Sequence, residues 1–498
     1  MTIAKVSGSL EEPTETPPLR LWRIFLAPAV ALAVYLLPLG LPADAHRLLA
    51  IVVLAVCFWI TEAIPAPVTA LLAPAFAVLV GIGSVKTVFA PFSDPVIFLF
   101  IGSFMVAEAM RVHGLDRRVA LAILSQPWAS RSAGNLLLTI GFVTCVISLW
   151  VSNTATTAMM LPIGLGLLRA LGRDAEKTKS PYAIAMMLML TWSSSVAIGL
   201  PIASPPNLIA IGMSEELTRT PITFAGWTMV TMPMTAAMLL LCFVLLRWLY
   251  RDDSVDTAGL GDYVRREREQ LGPWTTGERS VAFAFALLSL LWFVPAIATA
   301  VLPNNHPAAV WMEAHLPEST SALYAAALLF FLPGGNGRPA LEWPQAKQID
   351  WGTVILFGGG LSLGKLMFDT KLAAVMGGGF TGIFGFGGLW GITAAAILMG
   401  IVVSEAASNT ASANAVIPVA IAAANALGVS PLPPIFGAAL GASFGFMLPV
   451  ATPPNAIVYA SGLVPLRQMM RAGIWLDVTG AVTIWIFLRL LCPLLGMA

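Results

Sequence analysis

An all-α polytopic membrane protein is the fold class this sequence predicts, and three observations predict it. Hydrophobic residues fill 58% of the 498 positions and charged residues only 11%, giving a mean hydropathy of +0.84 that lies beyond soluble domains. Apolar runs of roughly 20 residues, the length a helix needs to cross hydrocarbon, recur from end to end. Some runs are broken by an unusual wording that occurs twice: Ser152-Asn153-Thr154 with Leu200-Pro201-Ile202-Ala203-Ser204-Pro205-Pro206-Asn207, then Ser408-Asn409-Thr410 with Leu448-Pro449-Val450-Ala451-Thr452-Pro453-Pro454-Asn455.

Residues 1–20, with Glu11, Glu12, Pro13, Glu15, Pro17 and Pro18, predict a disordered cytoplasmic tail rather than a signal peptide. A first span follows in 21–46. A repeat over 47–250 then holds scaffold spans (47–112), a hairpin (133–172), a broken span (181–212) and a closing span (226–249). Residues 251–279, nearly balanced in charge, read as a solvated cytoplasmic linker. The second repeat, 280–498, has scaffold spans (280–368) that include a run at 318–333, then a hairpin (387–427), a broken span (434–461) and a closing span (472–496). The sum is about eleven transmembrane helices plus two re-entrant hairpins. A shift of 256 residues carries Ser152 onto Ser408, Asp94 onto Asp350, Gly102 onto Gly358 and Pro162 onto Pro418. With five crossings each, the repeats are inverted relative to one another.

Charge placement sets the orientation, because cytoplasmic loops carry the excess of Lys and Arg. With the N-terminus inside, the inner loops collect Lys5, Arg20 and Arg23; Arg111, Arg117, Arg118 and Arg131; Arg169, Arg173, Lys177 and Lys179; Arg247 to Arg279; Arg338 and Lys347; and Arg467 and Arg471. Arg47, Lys86, Arg219 and Lys371 fall on the other side. The net charge of +1 without a basic stripe excludes nucleic acid as a partner. Cys57, Cys145, Cys242 and Cys492 lack metal or disulfide spacing, and no histidine pair lies within a span. A hydrolase built on Ser152 or Ser408 would need a positioned base that no membrane histidine supplies.

Hydrocarbon offers no water to loose N–H and C=O groups, so a helix breaks there only where it lines a cavity or is packed in protein. Matched breaks in two halves are the sequence pointer to a secondary transporter's binding site. Ser, Asn and Thr both donate and accept. A helix starting just after Thr154 or Thr410 turns its positive end to the tip and favours an anion. Carbonyls freed near Pro201–Pro206 and Pro449–Pro454 can join side-chain oxygens around a hard cation. Neither motif contains Arg, Lys or His, so an anion's charge must be met by helix ends and co-bound cations.

The residues Trp59–Pro65, Ser148–Thr156, Phe357–Gly360, Ser408–Thr410 and Phe446–Asn455 resemble those of the divalent anion/sodium symporter family, whose members move dicarboxylates, citrate or sulfate. The similarity spans nearly everything after residue 45. It implies a multi-pass protein of the cytoplasmic (inner) membrane, a homodimer whose hairpin domain moves elevator-fashion past a scaffold, and no enzymatic activity. It further implies at least two coupling sodium ions. One is held by Ser148, Ser152, Asn153 and backbone near Ala203, the other by Ser404, Ser408, Asn409 and backbone near Ala451. Ser148 and Ser404 each stand one helical turn before a motif serine, which places their oxygens on the same side. Asn153, Thr154, Ser204, Pro205, Asn409, Thr410, Thr452 and Pro453 would face the carboxylate substrate.

Sodium-coupled symport of succinate-, malate- and fumarate-like dicarboxylates is the function expected. Sodium-independent di- or tricarboxylate exchange, or sulfate or citrate transport, is the alternative. One departure stands out: Ala203 occupies a position where relatives often have glycine, and alanine tolerates fewer backbone angles. Elsewhere, Glu405 is a costly carboxyl in an apolar hairpin, which reads as paired within the moving domain or kept protonated, with proton coupling or cation attraction as the functional alternative. Glu62 and Glu108 read as structural pairing residues. Lys365 reads as snorkelling to the interface, and Gly358–Gly360 and Gly377–Gly379 as close helix packing or a hinge.

Overall fold

The computed structural model describes residues 21–172, 180–252, 255–302, 306–384 and 388–498. The expected tail, 1–20, lies outside them. The first half contains α1 (Leu21–Leu36), α2 (Ala43–Thr61), α3 (Ala66–Leu79), α4 (Pro95–His113), α5 (Leu115–Leu124), α6 (Ala133–Ser148), α7 (Asn153–Ala170), α8 (Pro181–Ser195), α9 (Pro205–Thr218) and α10 (Phe224–Leu249). Beyond α11 (Leu260–Glu269) come α12 (Thr276–Val301), α13 (Pro307–His315), α14 (Glu318–Leu328), α15 (Trp351–Asp369), α16 (Leu372–Phe384), α17 (Leu389–Ala406), α18 (Asn409–Leu427), α19 (Leu432–Ala442), α20 (Pro453–Ala460) and α21 (Leu466–Leu494). Among the described residues, 8 helices are long and apolar enough to cross a membrane, and the others are shorter or less apolar.

Both proposed hairpins are pairs of helices, α6–α7 and α17–α18, each turning at its Ser-Asn-Thr wording. Both broken spans are interrupted: α8 and α9 are separated by residues 196–204, including a 3-10 turn over Pro201–Ala203, and α19 and α20 by residues 443–452. Large apolar side chains such as Leu79, Phe331 and Leu494 are 77%, 84% and 80% exposed, as expected of surfaces that face lipid.

Close backbone approach replaces bulky packing at the helix crossings, the usual device where lipid competes for apolar contact. A Cβ on Gly102 would stand 2.5 Å from the Ala322 backbone, joining α4 to α14, and one on Gly359 would stand 2.2 Å from Ala70 O, joining α15 to α3. Of the second glycine triplet only Gly377 is used this way, against Ala422 on α18; Gly378 and Gly379 meet nothing within 4 Å.

Three expectations need correction. The run at 318–333 is α-helical only over Glu318–Leu328; turns at 329–331 follow, and Gly335, Asn336 and Gly337 take positive φ in a two-stranded turn, Pro333–Gly335 with Arg338–Pro339. The 251–279 stretch is not simply solvated: α11 buries Leu260 and Val264. Arg118 on α5 pins the chain beyond α11 through Glu278 at 2.6 Å and the carbonyls of Leu271, Gly272 and Pro273. Lys365 does not snorkel freely but pairs with Glu216 of α9 at 2.6 Å.

Gly359→Val drives a branched side chain into the Ala70 carbonyl. It should cost about 1–3 kcal/mol and lower the melting temperature of the detergent-purified protein, whereas Gly378→Ala should not; thermal melts of the two variants check this.

Candidate functional site

Each break presents two helix ends of opposite sign, and the ends are sorted in space. A cavity of about 500 Å³ is lined by Ser152, Asn153 and Thr154, by Ala203, Ser204 and Pro205, by Ser408, Asn409 and Thr410, and by Ala451, Thr452 and Pro453. These residues begin α7, α9, α18 and α20, so four helix N-termini meet at one space. Each carries a partial positive charge of up to about half a unit.

Ser152 and Ser408 are N-cap residues, accepting from the Ala155 and Ala411 amides at 3.3 Å. Their hydroxyl oxygens are thus engaged at the caps, and the helices start at Asn153 and Asn409 rather than after the threonines. Thr452 caps α20 by accepting from the Asn455 amide. Ser204 instead sits beside Ser443 Oγ at 3.4 Å, and the prolines at the starts of α9 and α20 have no N–H to offer. Direct hydrogen bonds to an anion therefore fall to the Asn and Thr side chains and to the first-turn amides of α7 and α18.

Behind the cavity lie the C-terminal ends. Ser148, fully buried at the end of α6, donates to Asn153 Oδ1 at 2.8 Å and to Ser194 O, near the end of α8, at 3.0 Å. Ser404 repeats the arrangement with Asn409 Oδ1 and Ala442 O, both at 2.8 Å. One hydroxyl proton is shared between two acceptors in each case. The result is two uncharged, all-oxygen clusters at the negative ends of helices, a donor set suited to a hard cation.

Two expectations about these residues change. The oxygen next to Ser148 is that of Asn153, not Ser152, because α6 stops at Ser148 and the helical spacing does not continue through the tip. The carbonyls beside Ser148 and Ser404 belong to Ser194 and Ala442, while Ala203 and Ala451 line the cavity. Ala203 keeps an ordinary negative φ, so alanine is accommodated there without strain.

Many carbonyls freed by the breaks are already occupied. Asn207 Nδ2 donates to Ile198 O and Leu200 O, and Asn455 Nδ2 to Gly445 O and Leu448 O. Trp227 Nε1 and Thr231 Oγ1 donate to Ile198 O and Gly199 O. The asparagine that closes each Pro-Pro-Asn phrase thus ties up its own break. A cross-connection, Thr191 Oγ1 to Asn455 Oδ1 at 2.8 Å, joins the two broken spans.

The cavity wall also contains Glu108, Arg111, Gln348, Asp350 and Thr353. Arg111 grips Glu108 with two guanidinium nitrogens, and Asp350 accepts from the Thr353 amide at 3.1 Å. Glu108 is therefore a pairing residue, as expected, and also a wall of the site. Glu62 instead ends α2 in the left-handed conformation, with φ of 49°.

Paired broken helices around one cavity in a chain of apolar spans point to a secondary transporter. The profile of the sodium:sulfate symporter transmembrane region matches residues 19–497, and the chain belongs to that family. The sodium-dependent dicarboxylate transporter SdcS of Staphylococcus saprophyticus is 31% identical over 459 residues, 89% of this chain and 86% of that protein. SdcS of Staphylococcus aureus is 31% identical over 471 residues, 92% and 88% of the two chains. Two solved structures share the fold. The YdaH transporter of Alcanivorax borkumensis has a TM-score of 0.56 at 17% identity, covering 94% of this chain and 96% of that one. Neisseria gonorrhoeae MtrF has a TM-score of 0.54 at 14% identity, covering 92% and 97%.

Asn153 and Asn409 each touch both features, the cavity and an oxygen cluster. Asn153→Ala and Asn409→Ala should each abolish uptake of the transported anion while leaving expression and melting temperature close to wild type; proteoliposome uptake alongside thermal melts reads both.

Proposed function

We propose that this protein couples sodium movement to the uptake of dicarboxylates of the succinate, malate and fumarate class across the cytoplasmic membrane. The observation that carries this reading is the sorting of helix ends: four N-termini around one cavity and two uncharged oxygen clusters at C-termini behind it. Partial charges of about half a unit each from four helix starts oppose a dianion's two negative charges. Cations on the oxygen clusters would add to the same field, so each ligand lowers the free energy of binding the other. The names of the SdcS relatives support the same pairing of sodium with dicarboxylate.

In this reading Asn153, Thr154, Asn409 and Thr410 hold the substrate carboxylates, with Ser204, Pro205, Thr452 and Pro453 closing the remaining walls. Ser148, Asn153 and Ser194 hold one sodium ion, and Ser404, Asn409 and Ala442 a second. On the orientation set by the basic loops, Glu108, Arg111 and Asp350 mark the cytoplasmic side, and the cavity they line opens inward. The hairpins and broken spans then move as one body past a scaffold that includes α4, α14 and α15, in a homodimer. Close packing of α17 on α19, where Gly400 and Gly441 admit no Cβ, supports such a body.

Reconstituted protein should accumulate radiolabelled succinate under an inward sodium gradient and fall to background when choline or potassium replaces sodium. Succinate uptake that needs only internal dicarboxylate would instead establish an exchanger. Sodium-driven uptake of sulfate or citrate but not succinate would reassign the substrate.

A further inference from the structure

The two oxygen clusters share their serine and asparagine but differ in what fixes them. In the second, Glu405 follows Ser404 directly, and its Oε1 accepts the Met447 amide at 2.8 Å. The Phe446 and Leu448 amides lie against the same carboxyl, and Asn409 Nδ2 adds a bond to Ser443 O at 3.3 Å. The hairpin tip and the facing break are thereby tied together beside Ser404. On the other side of that break Asn455 takes the Gly445 and Leu448 carbonyls, so its backbone is gripped from both sides.

The first cluster lacks the carboxyl tie; there Trp227 Nε1 and Thr231 Oγ1 of α10 hold Ile198 O and Gly199 O instead. Leu149, which can accept nothing, follows Ser148 where Glu405 follows Ser404. Shifting by the 248 residues that separate the two Pro-Pro-Asn phrases puts Gly199 in the place of Met447. The Glu405 arrangement also carries a cost: its carboxyl is buried face to face with that of Asp477 on α21, and the two acids must share a proton to satisfy their oxygens. Polar groups kept at such a cost inside hydrocarbon point to function rather than stability.

We infer that Glu405 is a positioning residue that preforms the second cation site, an inference that rests on the sodium coupling proposed above. By holding the Met447 amide, it fixes the 443–448 backbone so that Ala442 O and Asn409 Oδ1 stand around Ser404 Oγ before a cation arrives. A preformed site loses less freedom on binding, so without the Glu405 anchor the second site fills only at higher sodium.

The test is sodium-induced thermal stabilisation of the purified full-length protein without dicarboxylate, with choline as the ionic control. Glu405→Leu, which copies the first repeat's Leu149, should raise the half-maximal sodium concentration about tenfold. Glu405→Gln keeps an oxygen that can accept the Met447 amide, and should stay within about threefold of wild type. In proteoliposomes the leucine variant should shift half-saturating sodium while leaving the dicarboxylate KM at saturating sodium nearly unchanged. A leucine variant that follows the wild-type sodium curve overturns the positioning role, as does a glutamine variant damaged as badly as leucine. If the leucine variant does not yield folded protein, Glu405→Asp, whose acceptor is withdrawn by one methylene, must still move the midpoint to higher sodium. An unmoved aspartate midpoint overturns the proposal. Failure of sodium to stabilise even the wild type would instead remove the coupling on which it rests.

Discussion

A helix interrupted inside hydrocarbon exposes two ends of opposite polarity, and no water is present to neutralise them. Everything distinctive in this structure follows from how those ends are disposed. The C-terminal ends of α6 and α8 meet at Ser148, and those of α17 and α19 meet at Ser404. The N-terminal ends of α7, α9, α18 and α20 meet at a single cavity. Negative ends gather oxygen clusters suited to cations, and positive ends surround space suited to an anion. The motif needs no charged side chain because the backbone supplies the field.

Such breaks persist only if their remaining polar groups are satisfied, which gives the Pro-Pro-Asn phrase its physical content. The prolines start each second half-helix without adding N–H groups that would need partners. The asparagine reaches back to the carbonyls left open by the first half-helix. This residue is a structural clamp, and the asparagine of Ser-Asn-Thr is the one that reaches the cavity. Two asparagines in neighbouring motifs thus serve different ends, a division that the residue name alone does not reveal.

Much of the fold was legible because hydrophobic run length and Pro-Pro-Asn interruptions report directly on membrane helices and their breaks. The residues expected at the substrate site all line one cavity, because Ser-Asn-Thr tips and Pro-Pro-Asn starts are local signals. Ser194 and Ala442 are not legible in the sequence, since what they bring to Ser148 and Ser404 is a backbone carbonyl, which leaves no side-chain signature. Arg111 and Glu108 look in sequence like any pair three residues apart, and only the fold brings them to the cavity wall beside Asp350. The Lys365–Glu216 pair joins residues 149 positions apart, a contact no local pattern encodes. In the linker, Leu260 and Val264 were a weak apolar stripe among many charges, yet enough to dock a helix.

We propose that helix ends, not cationic side chains, hold the transported anion, with a cation beside each Ser–Asn pair. This is tested most directly by an experimental structure of the protein with sodium and succinate at a resolution that shows both. The carboxylates should lie between the Asn153–Thr154 and Asn409–Thr410 tips, with one cation at Ser148 and Asn153 and another at Ser404 and Asn409. Succinate bound instead on Arg111, with the Ser148 and Ser404 clusters holding no cation, would contradict it.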